Sequence, residues 1–385
     1  MCIRDRPNAN FEITLSQTWM MAPAMLAAED KGSTNPIGTG PFMFDTWERD
    51  SQLTVKRNPN YWRKDQFGTQ LPYLDNIEFD IIGDEGSRAK TLITGGVDIA
   101  EFTAANNVSD FQARADKGEF QAFNNNGGET AEVFIMLNTA KAPLDDVDAR
   151  RALAYATDKH AIIDNLTNGL YEAADGPYSP SSRYYAKTDY PQFDQAKARE
   201  LVDAVKARHG GSFTFDLEGP AGAGTDQALQ MLSAQWAEVG IDAKIRTREQ
   251  AAGLIAVVTG DYQATLWQQF DSPNPISEVV WWIPENAKPI PEFNLNFARN
   301  KDDAISAAAK VLTQTEDPKE QMAQFKVLQE RLAADIPYVW LYHTQLSIVA
   351  SNKLVNVINA TLPDGQQALG LRSGAHSLDQ IWIRS

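Results

Sequence analysis

The sequence predicts an α/β fold in two lobes, and its length, its composition and its patterning predict it. The chain has 385 residues and is 43% hydrophobic, enough for a large core and more than one lobe. Short runs alternate apolar with polar side chains, which is the period of a strand, and longer runs repeat apolar residues every three to four positions, which is the period of a helix. The two kinds of run follow each other with short loops between, as a mixed or parallel sheet requires.

Phe11, Ile13 and Leu15 alternate as a first strand. The turn Gly38-Thr39-Gly40-Pro41 releases the chain into the next, and Leu53 and Val55 alternate with Thr54 and Lys56. Asn58-Pro59-Asn60 stops that strand, with Tyr61-Trp62 as an aromatic anchor beyond it. Ile77, Phe79 and Ile81 rebuild a strand face; a short helix then starts near Ser87 and ends at Gly95-Gly96 in a left-handed cap. Asp145-Asp146 caps a helix with Leu153, Ala156 and Ile163 on one face, closed by Gly169. Asp194 caps the next, which ends at His209-Gly210-Gly211 and leads into a strand through Phe213, Phe215 and Leu217. A helix through Leu229, Leu232 and Trp236 stops at Gly240, and Ile241, Ala243 and Ile245 return as a strand. Asp317-Pro318-Lys319-Glu320 reads as a capping box with proline at the first helical position.

Composition narrows the function classes. A formal net charge of −16 argues against nucleic acid and anionic membrane, both of which need clustered Lys and Arg. No apolar run is long enough to span a bilayer. His160, His209, His343 and His376 are scattered without metal-ligand spacing. The pairs Asp145-Asp146 and Asp302-Asp303 are placed as helix caps rather than as acid/base partners, and no hydrolase or phosphate-loop motif occurs. The expectation is a non-enzyme without cofactor. Single Cys2 says nothing of redox compartment.

Several segments in order carry a family resemblance: NPIGTGPFMF (35–44), WERDSQLTVKRNPNYW (47–62), LPYLDNIEFDII (71–82), SRAKTLITGGVDIAEF (87–102), LNTAKAPLDDVDARRALAYATDKHAII (137–163), LSAQWAEVGIDAKI (232–245), GDYQATLWQQFDSPNP (260–275) and IPYVWLYHTQLSIV (336–349). Together they resemble the extracytoplasmic solute-binding proteins of ABC importers, in the peptide/nickel (dipeptide- and oligopeptide-binding) family. The resemblance implies a two-lobed periplasmic-binding-protein fold of the class II type. One lobe would comprise residues 1–129 and 336–385, and the other residues 130–335, with a hinge between them that closes around a ligand. It also implies a monomer that hands its ligand to a membrane permease, and a signal peptide with a longer N-terminal region. The opening Met-Cys-Ile-Arg-Asp-Arg has no apolar signal core, so the sequence reads as an N-terminally truncated copy with an incomplete first lobe. Its place in full length would be extracytoplasmic.

By the same resemblance, Asp271, four residues before Pro275, stands where relatives accept the ligand's α-ammonium group; a desolvated ammonium needs a fixed anion. The alternative is a turn cap for Ser272-Pro273-Asn274-Pro275. Trp267, Phe270 and Trp281 are the nearby aromatic candidates, able to pack on a peptide side chain or a sugar face. At least one of Trp281 and Trp282 is expected in the core. Phe134 and Met136 share a strand face where relatives line the cleft; Met136 reads rather as core, and Phe134 stays open. Residues 251–270 contain no Lys, Arg or His, so a peptide carboxylate would need Arg246, Arg248 or a group outside this sequence. Peptide is the leading ligand class. Oligosaccharide, opine, glutathione or metal chelate, and a sensing or chaperone role on the same fold, are the alternatives.

Overall fold

The computed structural model describes residues 21–124, 131–269, 275–358 and 377–384. The chain divides into two compact units. One holds the described residues between Asn126 and Gln345, the other those between Leu15 and Asn125 and those from Leu346 onward.

In the second unit a short helix, Pro23–Ala27, precedes an antiparallel meander of β1 (Phe42–Glu48), β2 (Gln52–Arg57) and β3 (Asn76–Asp80). Trp47 pairs with Leu53 and Leu53 with Phe79, so these side chains share one face. The helix Glu85–Ile93 is capped by Asp84, whose carboxylate accepts from the Ser87 amide, and Gly95 follows it at φ +78°. Two more strands, β4 (Ile99–Phe102) and β5 (Phe120–Asn124), complete the N-terminal part of this unit.

The first unit is built on six strands: β6 (Glu132–Leu137), β7 (Glu172–Ala173), β8 (Thr214–Pro220), β9 (Asp242–Arg248), β10 (Ala264–Gln269) and β11 (Tyr338–His343). Their order is β7-β11-β6-β10-β8-β9. β6 runs antiparallel to β10 and β11, while β8 is parallel to β9 and β10. The chain leaves this unit between Gln345 and Leu346. It then forms β12 (Ser347–Ser351), the centre of a three-stranded sheet between β4 and β5.

Layers cover both faces of the six-stranded sheet. On one, Val133, Ile135, Leu137, Val339 and Leu341 pack against the helices Val147–Ala156, Lys159–Thr167, Gln195–Arg208 and Ala223–Ala237. On the other, Phe134, Met136, Tyr338 and Trp340 meet the helices Asp303–Leu312 and Pro318–Asp335. Among the described residues no helix is long and apolar enough to cross a membrane.

Two local expectations are corrected. The single helix expected from Asp146 to Gly169 is two, because Asp158 turns its carboxylate onto the Ala161 amide and starts a new helix. The Thr157 hydroxyl at the break donates to Leu153 O at 2.7 Å and accepts from Trp236 Nε1 at 2.9 Å. In the Asp317 cap, the aspartate accepts from the Lys319 amide as a cap should, but Glu320 bonds the Thr315 hydroxyl instead of reaching back. That hydroxyl in turn receives the Asp317 amide, the donor a capping box would have given to the glutamate.

β11 carries a bulge. Trp340 pairs with Phe134, but the next pair is Tyr342 with Val133, leaving Leu341 as the extra residue. The Tyr190 hydroxyl accepts from the Trp340 amide at 3.1 Å and donates to Tyr338 O at 3.2 Å. Burial pushes this phenol's pKa well up, so it stays a donor.

Candidate functional site

Alternation on three adjacent strands brings large rings to one face. Phe134 of β6 pairs with Trp267 of β10 on one side and Trp340 of β11 on the other. Tyr338, two residues before Trp340, pairs with Met136. These five side chains line a recess, closed further by Trp281, Trp282 and Phe297. The rings meet edge to face or tilted: Phe134 to Tyr338 at 4.7 Å, Phe134 to Trp340 at 5.0 Å, and Trp281 to Phe297 at 5.0 Å between centroids. Counting open space at its mouth, the recess has a volume of about 290 Å³, while its enclosed part has room for about one water molecule.

Its polar members are Glu132 and Gln269, paired across β6 and β10. Glu132 is only 3% exposed. Its charge, after burial, helps push the Tyr338 phenol's pKa up. Opposite Glu132 on β11 stands His343, whose two ring nitrogens have no hydrogen-bond partner among the described residues. Burial, and then the Lys159 ammonium, lower its pKa to about 4, so the imidazole is neutral near pH 7.

Phe297 is positioned through its backbone. Its carbonyl accepts from the Tyr262 hydroxyl at 2.7 Å and from Arg299 Nη1 at 3.1 Å. Arg299 also donates to Val257 O and Val258 O, near the end of the helix Gln250–Thr259. That helix ends at Gly260 with φ +82°, and a Cβ there would lie 2.5 Å from Arg299 Cζ, so glycine serves both the turn and the close approach. Asn138 ties this corner to β6 by donating to Gly260 O and Tyr262 O.

The structure therefore brings together Phe134, Met136, Trp267 and Trp281, all singled out in the sequence, whereas Asp271 and Phe270 lie outside the described residues. Met136 is both core and lining, at 1% exposure. Trp282 is buried and Trp281 is half-buried. Sequence reasoning missed Glu132, Gln269, Phe297, Tyr338 and Trp340. Period-two alternation carried a signal for Glu132, two residues before Phe134, and for the pair Tyr338 and Trp340.

Arg246 and Arg248 are not free for a ligand carboxylate. Arg246 is paired with Asp216 at 2.9 Å. Arg248 forks onto Glu218 at 2.5 and 3.0 Å, on a polar pocket that also contains Lys141 and Asp261. Parallel pairing of β8 with β9 sets acid beside base there, and neither arginine lines the aromatic recess. Among the described residues no group of three His, Cys, Asp or Glu side chains is placed to hold a metal ion.

The sequence profile of the bacterial extracellular solute-binding proteins, family 5 (middle region), matches residues 4–288, well over half of the chain. The chain belongs to this family. Members are binding proteins of the peptide/nickel class of ABC importers. Among curated relatives, a di/tripeptide-binding protein of Pseudomonas aeruginosa is 27% identical over 83% of this chain and 59% of its own length. A glutathione-binding protein of Pectobacterium atrosepticum is 28% identical over 87% of this chain and 64% of its own. The chain thus spans about three-fifths of the length of these relatives. Among solved structures, the periplasmic binding protein DppA of Helicobacter pylori, in complex with the peptide STSA, superposes with a TM-score of 0.83 at 21% identity, over 99% of this chain and 71% of its own. The fold is the α/β fold of class II periplasmic binding proteins.

Proposed function

We propose that this chain is the substrate-binding part of an ABC importer, which captures a small peptide outside the cytoplasm and delivers it to a membrane permease. The observation that carries this reading is the aromatic recess on β6, β10 and β11, in a chain of a family whose relatives include di/tripeptide- and glutathione-binding proteins. Rigid rings offer large apolar contact area at low entropic cost, which suits capture of varied side chains. Asp271 accepts the ligand's α-ammonium through charge-assisted hydrogen bonds. The protein works as a monomer and performs no covalent step.

Isothermal titration with trialanine and its N-acetyl form tests both parts, alongside a native mass spectrum of the protein as purified. The expected result is binding of trialanine, weakened at least about tenfold by N-acetylation or by Asp271→Asn. Unchanged affinity in Asp271→Asn removes the ammonium assignment. A retained hexose series, with no peptide bound, overturns the peptide reading itself.

A further inference from the structure

Resting on the peptide reading, we infer that the recess selects among apolar side chains by shape. Its inner end admits a slender, unbranched side chain, methionine among the natural residues, and turns branched ones away. Capture of varied side chains falls to the ring surface at the mouth; the enclosed end discriminates between them.

The walls set this preference because they are apolar, narrow and fixed. Phe134, Tyr338 and Trp340 form a cluster with ring centroids 4.7, 5.0 and 5.0 Å apart, and Trp267 and Trp281 lie on Phe297 at 5.8 and 5.0 Å. The polar tips are already engaged: the Trp282 side chain hydrogen-bonds the Tyr338 hydroxyl, and Glu132 has a partner of its own. A group entering here therefore meets mostly carbon. The enclosed part has room for about one water, hence for one methyl group and not for the two of a branched end.

Widening that space would mean moving rings whose backbones are pinned. The Tyr190 hydroxyl holds the Trp340 amide and the Tyr338 carbonyl, while Tyr262 and Arg299 hold the Phe297 carbonyl. Met136, a flexible side chain by nature, is fully buried here and has no space to yield. Nearer the mouth, the half-buried indoles of Trp267 and Trp281 offer apolar surface to a straight stem. A thioether improves the fit further, because sulfur packs favourably at ring edges.

The test is a titration series with trialanine in which each position in turn carries norleucine, leucine or methionine. Norleucine and leucine are isomers with the same number of carbons, so their ratio reads shape alone. At one position the wild-type protein is expected to bind the norleucine peptide at least about tenfold more tightly than the leucine peptide, with methionine at or above norleucine. In Met136→Ala, which widens the enclosed end, the ratio should fall towards one as leucine gains access. Because the ratio is internal to each protein, a change in the variant's stability does not mimic it. Should the variant fail to fold, the wild-type ratios decide alone.

Equal norleucine and leucine affinities at every position of the wild-type series overturn the inference, as does methionine bound no more tightly than leucine. A ratio unchanged in folded Met136→Ala overturns it too, since the selection would then lie elsewhere. If no tripeptide binds, trialanine included, the peptide reading has failed separately. The recess is then decided by 1-pentanol against its branched isomer neopentyl alcohol, read on the indole NMR signal that Trp267→Phe removes. Preference for the straight alcohol keeps the inference; equal or reversed binding overturns it.

Discussion

Ile135 and Phe134 are neighbours on β6, yet they live in different surroundings. Ile135, with Val133 and Leu137, faces aliphatic and small side chains such as Leu153, Ala198 and Leu232. Phe134 faces Tyr338 and Trp340, and beyond them Trp267, Trp281 and Phe297. Branched aliphatic side chains interdigitate and fill space. Flat rings packed edge to face leave gaps at their perimeters, and here one gap lies beside a carboxylate. The same sheet thus has one face filled by aliphatic packing and another that keeps a ring-lined recess under its covering helices.

The largest expected effect tests the closed face. Ile135→Ala removes a fully buried side chain and should cost about 2–5 kcal/mol, read as a lower urea midpoint, while peptide affinity stays within about twofold. Lost affinity with an unchanged midpoint would abolish the distinction between the faces. The next effect belongs to the aromatic face and to pH. Neutral imidazole is the form the fold retains for His343, so the unfolded chain binds its proton more tightly between the ordinary value of 6.5 and the folded value of about 4. Its contribution is constant above pH 6.5 and is lost as pH falls from there to 4, with a ceiling of about 3 kcal/mol. His343→Leu should flatten that part of the pH profile of the urea midpoint; parallel profiles for the two proteins would refute the assignment. The smallest effect sharpens the comparison most. Trp267→Ala, at a half-buried position on the recess, should weaken peptide binding about tenfold, worth about 1.4 kcal/mol, with a melting temperature near that of the wild type. A large fall in melting temperature with affinity intact would make this indole ordinary core.

Helix starts were legible because their chemistry is local. Asp146, Asp194, Asp302 and Asp317 each cap a helix with a carboxylate that bonds an amide two or three residues on. The break at Thr157-Asp158 was not, since apolar spacing runs on through it and only the Trp236 contact with Thr157 shows why it persists. For the site, Phe134, Met136, Trp267 and Trp281 stood out through the family resemblance and strand alternation. Tyr338 and Trp340 reach Phe134 and Met136 from about two hundred residues downstream in the sequence, through pairing of β11 with β6 that no local pattern announces. Nor could composition tell that Arg246 and Arg248 would be taken up by Asp216 and Glu218 on the neighbouring strand.

The bulge at Leu341 has a consequence for the parity of β11. Up to Trp340, even-numbered residues look into the recess and odd-numbered ones into the aliphatic layer. Past Leu341 the rule is inverted: Tyr342 joins the aliphatic layer and stacks on Tyr171 at 5.7 Å, and His343 comes opposite Glu132. Were the pairing regular past Trp340, Leu341 would oppose Val133, and Tyr342 would oppose Glu132 and set a phenol beside the carboxylate. The bulged pairing, steadied by the Tyr190 hydroxyl, thereby decides that the neighbour of the buried acid is an imidazole.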